Sequence, residues 1–509
     1  MTLRREQRTA PPGALGAHAA HQPTRFEVSG GNVAVSDDFV RRLAGVCVEV
    51  TTSDAARVEA GRDWWPLSAV WAANATSPAL PAVVAAPAST AEVADIVKLC
   101  SETRVPLTVF GGASGVCGGS IPLHGGVSLD MTGIFGIRDV DATSQTVEAG
   151  AGTFGLAFEE ELRSTHSLTV GHWPQSMVMS TVGGWVACRG AGQYSTRYGK
   201  IEDIVLGLEV VLADGSVIHT GGHFPRSATG PDLNQLFLGS EGTLGVITSV
   251  RMRAHPVAEA QTRRAYGFAS FETGLVACRR ILQRGATPAV LRLYDKTESN
   301  RNFNSNDVAL LIVLDEGDQK LIDAVMSVVD EECAAASRLG EEPVTHWLEH
   351  RNRVPDIAEL VAAGLVVDTV EVAGSWRALE AIYQEALSAL LSLEGTVAAS
   401  AHQSHAYSDG ACLYFTFAGR PPQSTPGIAS HEVSTTIQSA ESYYHKAFDA
   451  VTLATLANGG TLSHHHGVGL NRSRYMRRQL GAGRDVLRSI KMALDPHGIL
   501  NPGKLGFDQ

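Results

Sequence analysis

Gly111-Gly112-Ala113-Ser114-Gly115-Val116-Cys117-Gly118-Gly119-Ser120 follows without a break on the apolar run Pro106-Leu107-Thr108-Val109-Phe110. Five of the ten residues are glycine. Glycine accepts a positive φ and carries no side chain, so such a run after a strand leaves successive backbone N–H groups free to face an anion. No helix with a ribose-binding acid follows at the spacing of a Rossmann site, and no Gly-Lys-Ser/Thr closes a Walker loop. From this stretch alone a glycine-rich turn and an anion cradle both stay open. Upstream, Pro81 to Pro87 reads as a short strand. Ser89-Thr90 caps a helix with Val93, Ile96 and Val97 on its apolar stripe and Glu92 in its first turn. Downstream, Ile204 to Leu212 reads as a strand and Ala213-Asp214-Gly215-Ser216 as a hairpin turn into Val217-Ile218.

Two further stretches share the same texture. Gly171-His172-Trp173-Pro174-Gln175-Ser176 leads into Ser180-Thr181-Val182-Gly183-Gly184-Trp185, and Arg197-Tyr198-Gly199-Lys200 follows. The other is Gly239-Ser240-Glu241-Gly242-Thr243-Leu244-Gly245-Val246-Ile247-Thr248. Ser180 and Thr181 can cap a helix and offer hydroxyls to phosphate. Gly183 and Gly184 leave room for a flat, extended molecule on the backbone. Three such loops suit a long dinucleotide better than a single phosphate.

His464-His465-His466-Gly467, near the C-terminus, is the other informative stretch. Adjacent imidazoles are costly to bury unpaired, and the flanking Gly459-Gly460 and Gly467-Val468-Gly469 allow close approach to a ligand. A metal site is not expected: adjacent residues diverge, and no Cys, Asp or Glu nearby in sequence completes a first shell. Proton transfer or anion holding is the preferred reading.

From about Ala258 the pattern changes. Arg264–Ser270, Ala289–Tyr294 and Asp307–Leu314 read as strands, and Phe271–Arg284 and Gln319–Arg338 as helices. This β-α-β-β-α order predicts a ferredoxin-like antiparallel sheet with helices on one face. Trp376 to Leu393 has the apolar spacing of a packing helix, and Trp64-Trp65 reads as core. The expected division is residues 1–77 as a lead-in and helical segment, disordered to about Phe26, then 78–256 as a cofactor-binding domain. Residues 257–455 form a cap and 456–509 a segment returning to the site.

The net charge of −12 argues against a sequence-blind nucleic-acid binder. Seven cysteines, scattered and odd in number, suit packed thiols in a reducing compartment. No apolar run is long enough to span a bilayer, no signal-type h-region follows the N-terminus, and Phe507-Asp508-Gln509 is no peroxisomal address. A cytoplasmic enzyme is expected.

Together these stretches resemble the vanillyl-alcohol oxidase and p-cresol methylhydroxylase superfamily of FAD enzymes over the chain from about Pro81 onward. Within it the likeness is to the alkyldihydroxyacetone-phosphate synthase branch. The carrying text is Ser180 to Ala187, Tyr198 to Asp203, Gly239 to Thr248, Gly410 to Phe415 and Ser463 to Gly469. The resemblance implies an α+β fold with a two-lobed FAD-binding domain, a ferredoxin-like cap and a C-terminal return. It implies that Gly111, Gly112, Ala113, Ser114, Gly115, Gly118 and Gly119 cradle the pyrophosphate, where a Cβ at 112 or 118 would block backbone approach. Pro174, Gln175, Ser176, Ser180, Thr181, Gly183, Gly184, Tyr198, Glu241, Gly242, Gly245, Val246 and Ile247 would line the rest of the cofactor. Tyr414 would be the active-site phenol, His464, His465 and His466 the catalytic histidines, and Arg292 the arginine near flavin and substrate. His402 and His405 stand where the branch has an arginine, as substrate-contact candidates. A second substrate-side arginine has no counterpart around Pro355 to Leu360.

Two missing arginines disfavour a phosphorylated substrate. The leading expectation is oxidation of a small hydroxylated or acidic molecule, with hydride passing to flavin N5 and oxygen or another electron acceptor closing the cycle. The alternative is a synthase-like transferase that forms an ether bond with no net redox change. A homodimer stays open. In several relatives a histidine after the first Gly-Gly tethers the flavin covalently. Ala113 stands there in this chain, so FAD is expected to be non-covalent. Acid precipitation of the purified yellow protein should leave a colourless pellet, and colour retained in the pellet would contradict this.

Overall fold

The computed structural model describes residues 8–26, 33–222, 224–305, 307–354, 356–421 and 432–507. The Pro81–Pro87 strand is observed as Val83–Ala85. Ser89 caps the helix Thr90–Thr103 by accepting the Glu92 N–H, and Arg104 ends it in the left-handed region. Val93, Ile96 and Val97 are buried, as their spacing requires. The helix returns the chain to Leu107–Phe110, which lies parallel to Val127–Asp130, itself parallel to Val83–Ala85. The edge strand Val50–Thr51 completes this four-stranded sheet.

A second, antiparallel sheet runs Ile137–Asp141, Thr146–Gly150, Val246–Arg253, Val205–Val211 and Val217–His219. The Ala213 to Ser216 turn closes its last hairpin, with Val211 opposite Val217. The glycine loop leaves the first sheet at Phe110. A Cβ on Gly112 would lie 1.8 Å from the Met179 carbonyl oxygen, and one on Gly118, at φ +77°, 2.8 Å from the Trp65 ring. These two glycines are therefore required by the protein's own packing.

The third sheet has seven antiparallel strands, in the order Ser337–Leu339, Ala260–Phe268, Ala309–Gly317, Val290–Tyr294, Thr396–Ala406, Gly410–Gly419, Val366–Ser375. The expected ferredoxin-like order is present and occurs twice. Val366–Ser375, helix Leu379–Leu391, Thr396–Ala406, Gly410–Gly419 and helix Glu432–Ala457 repeat it. The two units join where Val290–Tyr294 pairs with Thr396–Ala406. The expected helix Gln319–Arg338 stops at Glu332, and Ser337–Leu339 is an edge strand. Leu291, Leu293, Val370, Val372, Ala401, Leu413, Phe415 and Phe417 share one core with the covering helices. By the two-residue period of a strand, Arg292, Glu371, His402 and Tyr414 project from the other face.

The lead-in departs from expectation. Residues 1–7 and 27–32 lie outside the described residues, as does Pro355, but 8–26 pack against the body. Arg25 donates to both carboxylate oxygens of Glu441 at 2.6 and 2.8 Å, and Ala19 is fully buried. Composition alone did not reveal these partners, which lie hundreds of residues away. Trp65 is core as expected, donating to the Tyr444 hydroxyl at 2.8 Å. Among the described residues no helix is long and apolar enough to cross a membrane.

Gly118→Ala should destabilise the protein by at least about 1–2 kcal/mol from the left-handed backbone alone, before the Trp65 ring is displaced. Urea unfolding of the variant checks this, and an unchanged midpoint would refute the packing account.

Candidate active site

The face of the seven-stranded sheet opposite that core, on which helix Glu342–His350 also packs, carries the catalytic candidates Arg292 and Tyr414 together with His402. His402 pairs across the sheet with Tyr414 on one side and Tyr294 on the other, and Tyr414 also pairs with Glu371. The His402 and Tyr414 rings stack with centroids 4.9 Å apart. The Arg292 guanidinium donates to His402 Nε2 at 2.7 Å and to the Tyr294 hydroxyl at 3.2 Å. An arginine can only donate, so His402 accepts at Nε2 and its Nδ1–H donates to Glu298 Oε1, 3.0 Å away. Burial lowers the His402 pKa, which agrees with this neutral tautomer. His402 is thus a buried link between Arg292 and Glu298.

His402 and His405 are three residues apart and would face opposite sides of a regular strand. A bulge between Gln403 and His405 sets His405 opposite Cys412, on the Tyr414 face. His405 Nδ1 is bonded to Ser404 Oγ at 2.7 Å, while its buried Nε2 has no partner among the described residues.

The histidine run lies over this face, held by Glu371. This carboxylate accepts from Ser463 Oγ (2.9 Å), the His464 N–H, the His466 N–H (2.9 Å) and Arg472 (2.6 Å). Glu371 and Arg472 are both fully buried. Burial works against ionisation of Glu371, but Arg472, with His466 and His465, overrides it and holds the carboxyl well below the usual range. The same loop is gripped from the other side by Glu241, whose oxygens accept from the Val468 and Gly469 N–H groups at 2.5 and 2.8 Å. Leu470 and Asn471 then donate to the Cys117 carbonyl in the glycine loop.

Two hydrogen-bonded strings run through the run. Ser195 Oγ, Tyr407 hydroxyl, His464 and His465 are linked at 3.1, 3.0 and 3.0 Å. Thr369 Oγ donates to the Tyr414 hydroxyl at 3.1 Å, leaving the phenol proton to point at His466 Nε2, 3.4 Å away. Burial pushes His464 and His465 down to about 3 and His466 to about 4. Neutral imidazoles suit proton transfer; the anion-holding reading loses its charge. Burial also raises the Tyr414 pKa.

The expectation against a metal rested on divergent neighbours and no nearby cysteine. The fold overturns both reasons: His405, Cys412, His464 and His465 each bring a ligand atom within 4.8 Å of the others. Two further arginines lie near the site. Arg472 pairs with Glu371, and Arg351 follows the helix Glu342–His350, just before the segment searched. Arg351 donates to Gln193 Oε1 at 3.2 Å and lies over the rings of Trp173, Tyr194 and Trp347, sharing Trp347 with Arg292. Neither arginine was singled out from sequence, because a lone Arg among Arg353, Arg474 or Arg477 carries no local mark.

For the cofactor, none of the N–H groups from Gly111 to Cys117 has an acceptor among the described residues, and a Cβ on Gly115 or Gly119 would meet nothing closer than 3.7 Å. A run of free backbone N–H groups with open glycine positions fits a pyrophosphate. Ser114, in the same stretch, is only partly buried. Ala113 takes a φ of +51° and its carbonyl accepts from the Trp64 N–H. Other expected lining residues also have partners within the protein. Thr181 caps the helix Val182–Ala187, Ser180 accepts from Trp185 Nε1, and Gly183 is needed for contact with Ala151. The Tyr198 hydroxyl donates to Glu316, exposed Gln175 donates to the Arg353 carbonyl, and Gly245 packs against Val210. Val246 and Ile247 begin a buried strand, Pro174 and Ser176 form the turn before Met177, and Gly242 takes a φ of +73°.

An FAD binding domain is matched by residues 81–221, and the C-terminal domain of FAD linked oxidases by residues 257–505. The chain is 30% identical to alkyldihydroxyacetonephosphate synthase of Dictyostelium discoideum, covering 84% of this chain and 73% of that protein. It is 28% identical to the FAD-linked oxidoreductase YgcU of Escherichia coli (strain K12), covering 84% and 89%. A solved alkyldihydroxyacetonephosphate synthase superposes with a TM-score of 0.76 at 25% identity, covering 97% of this chain and 89% of that one.

The depressed imidazoles carry a pH consequence. Unfolded histidines take up protons below about 6.5, whereas His464, His465 and His466 wait until about 3 to 4. The unfolded chain then binds more protons across that window, so stability falls as pH drops from about 6.5 towards 3. His465→Gln should show a smaller acid loss in melting temperature than the parent. An equal loss in both would mean that His465 titrates normally.

Proposed function

Because the chain belongs to the FAD-linked oxidases, we propose that it oxidises a small hydroxylated substrate bearing a carboxylate. In this reading residues 78–256 hold FAD, 257–455 cap the substrate and 456–509 return the histidine run to the site. Bound FAD supplies the two-electron acceptor. The observation that carries the proposal is His465: its Nδ1 is engaged by His464, while its Nε2 makes no hydrogen bond within the described residues. This neutral nitrogen, beside the Tyr414 ring at a centroid distance of 6.1 Å, is available to take a hydroxyl proton. The proton can then pass to His464 and Tyr407 along the string described. Tyr414, hydrogen-bonded to Thr369 and His466, orients the substrate oxygen.

Arg292 and Arg351 support the carboxylate. Arg292 spends two of its donors on Tyr294 and His402, and Arg351 is positioned by Gln193 and three aromatic rings. One guanidinium fork satisfies a carboxylate, whereas a phosphate dianion asks for more fixed charge. The same pair also supports a second reading, ether-forming alkyl transfer on a phosphorylated substrate, in which Arg351 would serve as one of the two substrate-side arginines.

Anaerobic mixing of holoenzyme with a panel of 2-hydroxy acids and alcohols should bleach the flavin absorbance, with recovery on adding oxygen or a dye. Arg351→Ala should raise KM by roughly one to two decades, the loss of one charge-assisted pair. Ether formation from an acyl-dihydroxyacetone phosphate and a fatty alcohol, without net reduction, would establish the second reading instead.

A further inference from the structure

We propose that the N-terminal stretch around Arg8, outside both matched domains, is a strap that completes the FAD site, with the Arg8 guanidinium bonding the cofactor's pyrophosphate. The inference rests on FAD as cofactor and is independent of the reaction proposed above. In an open parallel sheet the carboxyl ends of the strands face the ligand. Here Phe110 and Asp130 end neighbouring parallel strands in register. Arg8 lies at that edge, its guanidinium carbon 4.4 Å from the Phe110 ring centroid and one nitrogen 3.2 Å from Asp130 Oδ2. The other two nitrogens, Nε and Nη2, are buried and have no acceptor among the described residues. Asp130 cannot serve them, because its Oδ1 is taken by the Thr132 N–H and hydroxyl at 3.1 and 2.7 Å.

A buried guanidinium edge without an acceptor is costly unless an anion meets it. The glycine loop begins one residue after Phe110, and its N–H groups from Gly111 to Cys117 also lack acceptors among the described residues. Two unsatisfied donor sets at one strand edge, one charged and one backbone, match the two sides of a diphosphate. Trp64 joins the strap to the loop. Its indole N–H donates to the Thr9 carbonyl at 3.3 Å and its backbone N–H to the Ala113 carbonyl at 3.2 Å. Further along, Arg62 donates to the Gly13 carbonyl. The strap is thereby held to the body at points other than Arg8.

The test strips FAD from the full-length holoenzyme and measures rebinding by quenching of flavin fluorescence, at several salt concentrations, for the parent, Arg8→Gln and Arg8→Lys. Melting temperatures of the stripped proteins are recorded alongside. The proposal expects Arg8→Gln to raise the FAD dissociation constant roughly ten- to hundred-fold. It also expects a shallower salt dependence, partial recovery in Arg8→Lys, and an unchanged melting temperature of the stripped form. An unaltered dissociation constant in Arg8→Gln would overturn it. So would weaker binding accompanied by an equal fall in the stripped protein's melting temperature and an unchanged salt dependence, because Arg8 would then serve only the fold.

Discussion

The buried pair of Glu371 and Arg472 is the contact on which the site's geometry depends. Both side chains are fully shielded from water, and 2.6 Å separates a guanidinium nitrogen from a carboxylate oxygen. Removing one partner of such a pair leaves an isolated buried charge, a cost of about 3–5 kcal/mol. Desolvating the pair is repaid here by further hydrogen bonds. Glu371 also accepts the Ser463 hydroxyl and the His464 and His466 amides, while Arg472 also donates to the Gly467 and Glu371 carbonyls. The histidine run therefore has a single backbone path.

Glu241 does the same from the opposite side. Its carboxylate binds the two amides just beyond Gly467, and Asn501 donates to the Glu241 and Gly119 carbonyls at 2.6 and 3.0 Å. One carboxylate thus ties the loop to the seven-stranded sheet and the other ties it to the glycine loop. The three imidazoles sit at the joint between the part that cradles the cofactor and the part that presents Tyr414 and Arg292. Such a joint keeps its geometry because it is over-determined by fixed charges and amides, not because the loop is stiff by composition.

The electrostatics of the joint keep its imidazoles neutral. Burial disfavours charged imidazole, Arg472 beside His465 and His466 is already neutralised by Glu371, and Lys200, which acts on His464, pairs with Asp203. Neutral rings linked through Tyr407 and Tyr414 can pass a proton without leaving an uncompensated ion. The positive charge available to an anion is kept apart, at Arg292 and Arg351, where aromatic faces replace part of the lost hydration.

Much of this was legible from sequence because it is local. The Ser89 cap, the Ala213 to Ser216 turn, the glycine loop after Phe110 and the alternation through Leu413 to Phe417 are each set by neighbours a few residues apart, through backbone sterics and side-chain period. The likeness to flavoenzymes and the selection of Tyr414, Arg292 and the histidine run also rested on short stretches. The tertiary structure alone decided what depends on distant partners. It paired Glu371 with Arg472, 101 residues away, and packed residues 8–26 onto the body. It doubled the ferredoxin-like unit, and it turned His405 by a bulge onto the face of Tyr414. It also gave Gly112 and Gly118 their reason in Met179 and Trp65. A buried charge or a glycine looks the same in sequence whichever partner it meets, because the free energy that selects the partner arises only when water is excluded between them.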